Sequence, residues 1–383
     1  PVRSTLTTLQ LAQLTKRQAR EMVAAVSDEV LPAEVLEAIV ARADGNPLFI
    51  EELTKAVVES RAARSVEAIP ATLQDSLMAR LDRLSAAKEV AQRAAVLGRE
   101  FPYALVAATA GIEETALRQG LGRLIEAEIL FALGEPPTAT YTFKHALVQE
   151  AAYGSLLKRT RQELHGRVVR ALVAQFPERA EAEPELVALH AEAAGLADEA
   201  VTYYQRAAEQ AQKRSAHEET IAQMRKAIAL LGTLPDGMER DRREAHLQLG
   251  LGASMVAVRG YAHEESEAPY VRARALCEAA GDVANLGWAL IGLARFSWSR
   301  GQPDRAIELA DQAVGIAEQI RDDGLVLAGL VQGCQPRLYQ GRFAESVERG
   351  GRAITLHDPT RHRTLAFRFG TDQGVVSRGF VTW

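Results

Sequence analysis

Four times in the later part of the chain, a glycine or serine is followed five positions on by a small residue, and seven positions beyond that by an alanine. The sets are Gly195/Ala200/Ala207, Gly301/Ala306/Ala313, Gly341/Ser346/Ala353 and, more loosely, Ser215/Thr220/Ala227. Gly301 and Gly341 stand about 40 residues apart, as do Asp282 and Asp322, a period typical of helical-repeat chains. Glycine suits the turn between two antiparallel helices because it enters left-handed backbone conformations without a steric cost. The small residues, one and three turns into the second helix, let a neighbouring helix approach closely. A pair built in this way cannot cover its own apolar face and must stack on another pair. The stretch between Met238 and Gly281 is helical by periodicity but lacks the triad, and reads as a degenerate repeat. Such an array offers a surface for docking rather than a pocket for reaction chemistry.

At 383 residues the chain is too long for one hydrophobic core. Aromatics make up only 5% of it, and the bias toward Ala, Leu, Glu and Arg favours helices. The net charge of −5 gives no electrostatic case for nucleic acid, which rewards a concentrated basic surface. Cys277 and Cys334, far apart and without a histidine cluster, make no zinc site and suggest a reducing compartment. The longest apolar stretch, near Gly324–Val331, is far short of a membrane span. No charged-then-apolar leader opens the chain. The expectation is a cytoplasmic protein that contacts neither membrane nor nucleic acid.

Residues 1–60 read as a small helical unit. Pro32 can open a helix with Val35, Leu36, Ile39 and Val40 on one face, and Gly45 can stop it. Pro47 starts the next helix, with Glu51 and Glu52 placed in its first turn, where the helix dipole favours acids, and Leu53, Ala56 and Val57 buried. Arg61 to Ile69 reads as a linker. Beyond it, Thr72 caps a helix carrying Leu73, Leu77, Leu81 and Leu84. Further helices follow at about Ala86–Leu97, Tyr103–Ala110 and Glu113–Glu128, the last burying Leu117, Leu121, Leu124 and Ile125. Two short β-prone runs, Ile129 to Leu133 and Tyr141 to Phe143, flank a Gly134-Glu135-Pro136-Pro137 turn and predict a hairpin. Helices closed by a hairpin describe a winged helix. From Ala146 onward the patterns are helical only.

The five-and-seven spacing resembles the tetratricopeptide repeat in a lengthened form. Gly45-Asn46-Pro47-Leu48-Phe49-Ile50-Glu51-Glu52-Leu53 is similar to the lid of the large multidomain (STAND, AAA-like) signal-transduction ATPases. Tyr141-Thr142-Phe143-Lys144-His145-Ala146 through Tyr153 resembles their winged-helix part. The chain resembles in particular bacterial proteins that join a class III adenylate/guanylate cyclase domain, such an ATPase and a C-terminal tetratricopeptide array. The resemblance extends over essentially the whole chain. It implies a mainly α fold with a partial helical lid over residues 1–62, a winged helix with a small β-hairpin over 68–150, and a tetratricopeptide-like α-solenoid over 151–383, broken off within a repeat.

The same resemblance implies that Gly45 and Pro47 lie against a bound nucleotide and that His145 senses its diphosphate. The related Met-His-Asp pattern reads Lys144-His145-Ala146 here, so only the histidine carries over. No Gly-Lys dipeptide occurs, so the phosphate-binding loop of these ATPases is missing. Pro1 to Leu14 reads as the segment after the nucleotide-binding core, and Gly374 to Trp383 as part of a further helix pair. The chain therefore reads as a piece of a longer protein. It is expected to hold no cofactor and to catalyse nothing itself, while its parent uses ATP or ADP with Mg.

Plainer readings compete at each position. Gly45 and Pro47 serve equally as a helix stop and start, and His145 as a structural hydrogen-bonding group. His217-Glu218-Glu219 and His263-Glu264-Glu265 begin like a metalloprotease motif but lack its second histidine, and read as helix faces or caps. Trp288, Phe296 and Trp298, with Arg295 and Arg300, fit core packing or a peptide groove. Glu113, Glu114, Glu126 and Glu128 outweigh Arg118 and Arg123 on the presumed recognition helix, which disfavours DNA. The leading expectation is a signalling arm that registers nucleotide state and binds a protein or peptide through its repeats. A free-standing repeat scaffold and a winged-helix transcriptional regulator are the alternatives.

Overall fold

The computed structural model describes residues 12–27, 29–59, 69, 72–261, 263–363, 365 and 372–382. It is mainly helical, with one three-stranded antiparallel sheet among the described residues. The chain divides into two compact units, Pro1–Gln175 and Phe176–Trp383.

The first unit opens with α1 (Lys16–Val26), α2 (Ala33–Ala43) and α3 (Pro47–Glu59). Thr15 and Gln18 form a reciprocal cap on α1. Ala19, Val23, Val35, Ile39, Ile50, Leu53 and Val57 close around one another as the core of these three helices. Most of the expected linker, residues 60–68, lies outside the described residues. Ile69 is buried, and its carbonyl accepts from Arg42 Nη1.

Next come α4 (Leu73–Arg83), α5 (Ala86–Ala95), β1 (Glu100–Pro102), α6 (Tyr103–Ala110), α7 (Glu114–Glu126), β2 (Leu130–Leu133) and β3 (Thr140–Phe143). The strand order is β1-β3-β2, with Phe101 opposite Tyr141 and Leu130 opposite Phe143. β1 has no counterpart in the sequence reading. Its three residues are too few to show a period, and Pro102 is tolerated because the strand lies at the sheet edge. Thr72 caps α4 as expected, accepting from Asp75 N at 3.1 Å. Leu117, Leu121 and Leu124 are buried in α7, but Ile125 is 38% exposed. It sits a hundred degrees round the helix from Leu124, and Ile129, at 2%, fills the core place instead.

The unit ends with α8 (Ala146–Gly154) and α9 (Lys158–Gln175). These two helices pack on α4, α5 and α6, within the compact unit that extends to Gln175.

The second unit consists of α10 (Pro177–Ala182), α11 (Pro184–Ala194), α12 (Ala197–Lys213), α13 (His217–Leu231), α14 (Met238–Arg259), α15 (Glu264–Ala280), α16 (Val283–Ser299), α17 (Pro303–Ile320), α18 (Asp323–Tyr339), α19 (Phe343–Leu356) and α20 (Gln373–Thr382). From α11 onward each helix packs on the one after it. The small-residue triads explain this arrangement. Gly195, Gly301 and Gly341 all turn with φ between 72° and 78°, and Ser215 takes the same left-handed conformation at 59°. The eight small residues that follow these turns are 0–2% exposed, at the contacts between neighbouring helices. Asp282 and Asp322 cap α16 and α18 in the same way, accepting from Asn285 N at 3.1 Å and Leu325 N at 3.0 Å.

Candidate functional site

Gly45 follows Asp44, which already has φ 45°, and itself takes φ 72°. It is buried against the segment ahead of α1: Leu14 N donates to its carbonyl at 2.9 Å, and a Cβ here would stand 2.5 Å from Leu14 O. Only glycine fits that approach. Asn46 accepts from Phe49 N at 3.2 Å and so caps the helix that Pro47 begins. Stop, cap and start therefore account for the Gly45-Asn46-Pro47 segment locally.

Glu51 and Glu52 lie in the second turn of α3 rather than the first, because counting from Pro47 makes Glu51 the fifth helical residue. Side chains, not the helix dipole, meet their charge. Lys55 Nζ stands 2.9 Å from Glu51 and 2.6 Å from Glu128, and Lys144 Nζ 3.3 Å and 3.2 Å from the same two carboxylates. Glu128 reaches them from the turn after α7, where its own φ is 54°. The two lysines hold its carboxyl down at about 2. Burial pushes Glu51 upward, but hydrogen bonds and charge from Lys55 and Lys144 outweigh it and leave that carboxyl below its ordinary range. Lys55 is the mirror case: burial lowers it, and Glu128 and Glu51 more than restore it.

Glu52 is the most deeply placed of these acids. Arg80 Nη1 donates to both of its oxygens at 3.0 and 2.9 Å, and the side chains are 7% and 1% exposed. Arg80 Nη2 also donates to Ala127 O, which ties α3 and α4 to the end of α7.

His145 immediately precedes α8 and makes no side-chain cap there. Its Nε2 is buried without a hydrogen-bond partner among the described residues. Burial depresses its pKa, opposed by the charges of Glu51 and Glu52 and reinforced by those of Lys144 and Lys55. The balance favours the neutral ring. One donor atom each from Glu51, Glu52 and His145 lie within 4.8 Å of one another, the spacing of a metal site. Lys55, Lys144 and Arg80 already neutralise both carboxylates, so a divalent cation would have to displace them. The cluster is better suited to holding α3 against the β3–α8 connection than to coordination chemistry.

The structure thus brings His145 to the second turn of the helix that Pro47 begins, roughly one 5.4 Å pitch from Pro47 along its axis. Gly45 lies beyond the N-terminal end of that helix. Lys55, Arg80 and Lys144 have no assigned role in the sequence reading, and Glu128 enters it only as an acid of the presumed recognition helix. Only Lys144, adjacent to His145 in the quoted motif, carried any local signal.

The remaining sequence candidates lie at helix ends or against neighbouring side chains. His217 is the first residue of α13, and His263 caps α15 by accepting from Glu265 N at 3.3 Å. Phe296 is buried, Trp298 meets the Tyr339 ring at 5.2 Å, and Arg295 lies 4.2 Å over Tyr261. Both cysteines are free and buried. No helix among the described residues is long and apolar enough to cross a membrane.

No protein-family model matches the chain. It is 29% identical over 234 residues to an uncharacterized protein of Rhizobium meliloti (strain 1021), a match over 59% of this chain and 23% of that protein. The chain therefore spans about a quarter of the length of the curated relative it matches. Among solved structures it is similar to a signal transduction ATPase with numerous domains (STAND) that has a tetratricopeptide repeat sensor, from Pyrococcus horikoshii. That likeness has 11% identity and a TM-score of 0.35, and covers 97% of this chain and 63% of the other.

Proposed function

We propose that this chain is the regulatory and partner-binding part of a larger signalling ATPase of the STAND type. In this reading residues 12–59 are a lid, the α4–β3 region is a winged helix, and the helix pairs of the second unit are tetratricopeptide-like repeats that bind a protein or peptide. The observation that carries it is the array of pairs joined by left-handed turns, with the eight small residues that follow those turns buried. Nucleotide bound by an upstream core would be registered at Gly45, Pro47 and His145. The meeting of His145 with the helix that Pro47 begins supports that role, since a shift of either would be felt by the other. ATP or ADP with Mg would belong to that core, and any cyclase output to a domain of the parent.

The helix-strand-helix-helix-strand-strand order of residues 86–143 supports the winged-helix assignment. Its α7 is occupied by a local network rather than offered to phosphates: Arg118 donates to Glu114 at 2.7 Å and to the Tyr103 hydroxyl at 3.1 Å. The deciding experiment measures ADP affinity and exchange in the full-length protein with Pro47→Ala and His145→Ala. Faster ADP release is expected for both. Unchanged affinity and exchange would remove the nucleotide-sensing role from these residues.

A further inference from the structure

A cleft of about 500 Å³ runs between α5 and α9, away from the Glu51–His145 cluster. Ser85, Lys88, Glu89, Gln92 and Arg93 form one wall; Thr160, Glu163 and Arg167 form the other, with Leu164 at its base. The residues fall at helical spacing on both sides, so each wall is one face of a rigid helix.

Two guanidinium groups converge at one end of this cleft. Arg93 Nη1 donates to Ala110 O, the last carbonyl of α6, while its Nη2 pairs with Glu89. Gly111 follows, with φ 64°. The position a Cβ would take on Gly111 is already filled by Arg167 Nη1 and lies 3.4 Å from Arg93 Nη1. Glu89 and the α6 carbonyl end offset the charge of Arg93, which leaves the guanidinium of Arg167 beside it as the one without a carboxylate partner among the described residues. Arg167 is exposed, and no ion pair joins it to a carboxylate among the described residues. Lys88 adds a third cation on the same wall, shared with Asp82 outside the cleft. A doubly charged oxyanion between them would give Arg167 a partner, and guanidinium forks suit phosphate oxygens. Along the rest of the rim, Glu163 accepts from Arg159 at 3.0 Å and Gln92 donates to Ser155 at 2.8 Å, and their remaining acceptor and donor positions, with Thr160 and Ser85, line the cleft.

We propose that the α5–α9 cleft is a binding site for a small hydroxylated phosphate monoester, with the phosphate on Arg93, Arg167 and Lys88 and the hydroxyls toward Glu163 and Gln92. The mixed lining argues for this class over a bare anion, which would meet two carboxylates, and over an apolar ligand, which would find little beyond Leu156 and Leu164. This site is independent of the nucleotide-sensing reading above.

Calorimetric titration of the 383-residue chain at low salt tests it, using ribose 5-phosphate, ribose and inorganic phosphate as probes. Saturable binding of ribose 5-phosphate, weaker binding of phosphate and none of ribose are expected. Arg167→Gln is expected to weaken the phosphate ester at least tenfold. Glu163→Gln is expected to tighten it several-fold, a gain that misfolding cannot mimic. Arg170→Gln, on the same helix but outside the cleft, is expected to leave it unchanged. The proposal is overturned by the absence of saturable heat, by inorganic phosphate binding as tightly as the ester, or by R167Q and R170Q behaving alike.

Discussion

Replacing Glu52 by Gln keeps the shape of the side chain and one acceptor but removes the charge that faces Arg80. That pair is among the most buried in the first unit, at 1% and 7% exposure, with two hydrogen bonds of 2.9 and 3.0 Å. Breaking one side of such a pair leaves a guanidinium charge in a poorly solvated place, at a cost of about 3 kcal/mol. With a urea slope of about 2 kcal/mol per molar, the midpoint of the first unit should fall by about 1.5 M. The two units can be followed separately, because Trp288, Trp298 and Trp383 all belong to the second. Far-UV circular dichroism should therefore show an early transition in E52Q while the tryptophan fluorescence midpoint stays in place. The double substitution Glu52→Leu with Arg80→Met should recover most of the loss, since an apolar pair escapes the desolvation cost. An E52Q protein whose dichroism transition matches the parent's would refute the reasoning, because the charge would then have had no structural work to do.

Within α17, Ala313→Leu forces three extra carbons into a fully buried helix contact and should cost about 1–3 kcal/mol. Gly315→Ala, two residues on and facing open space, should instead stabilise by about 0.5–1 kcal/mol; the tryptophan fluorescence midpoint in urea reads both. His165, buried and hydrogen-bonded at 2.9 Å to the Tyr153 hydroxyl, has its pKa pushed down to about 4 by burial and the nearby Arg161 charge. The unfolded chain binds that proton more readily, so the contribution of a neutral ring is complete above pH 6.5 and is lost as pH falls toward 4. Allowing for solvent screening, it amounts to about 2 kcal/mol, and His165→Gln should flatten the melting profile over that window. Burial raises Cys277 to about 12 and Cys334 to about 11, so neither should react with a disulfide reagent at neutral pH until the second unit unfolds. Rapid labelling of the native chain would contradict their placement.

The parts of the fold legible in sequence share one property: each is decided within a turn or two of chain. Gly301-to-Ala313 spacing, the Asp282 and Asp322 caps, the Thr72 cap and the turn ahead of Pro47 all set local geometry, and all appear where their residue chemistry puts them. What escaped was settled across long stretches of chain. β1 exists because Phe101 and Pro102 pair with Tyr141 and Thr140, some forty positions away. Lys55 meets Glu128, and Arg80 meets Glu52, with no pattern in the intervening sequence to announce it. For the candidate site, the family resemblance pointed to Gly45, Pro47 and His145 separately. Its spatial logic, an imidazole seated beside two acids and two lysines, was visible only once α3 and the β3–α8 connection were placed together. The convergence of Arg93 and Arg167 over Gly111 was invisible for the same reason.

In the second unit nearly every contact joins helices that are next to each other, or next but one, along the chain. A molecule connected in this way has little long-distance wiring. Strain introduced at one turn can reach a far turn only by being handed from helix to helix, and each hand-over dissipates part of it. Such a unit can fray from an end while its middle stays folded, and whole pairs can be gained or lost in evolution without redesigning the rest. It can also form quickly, since no step has to wait for distant segments to find one another.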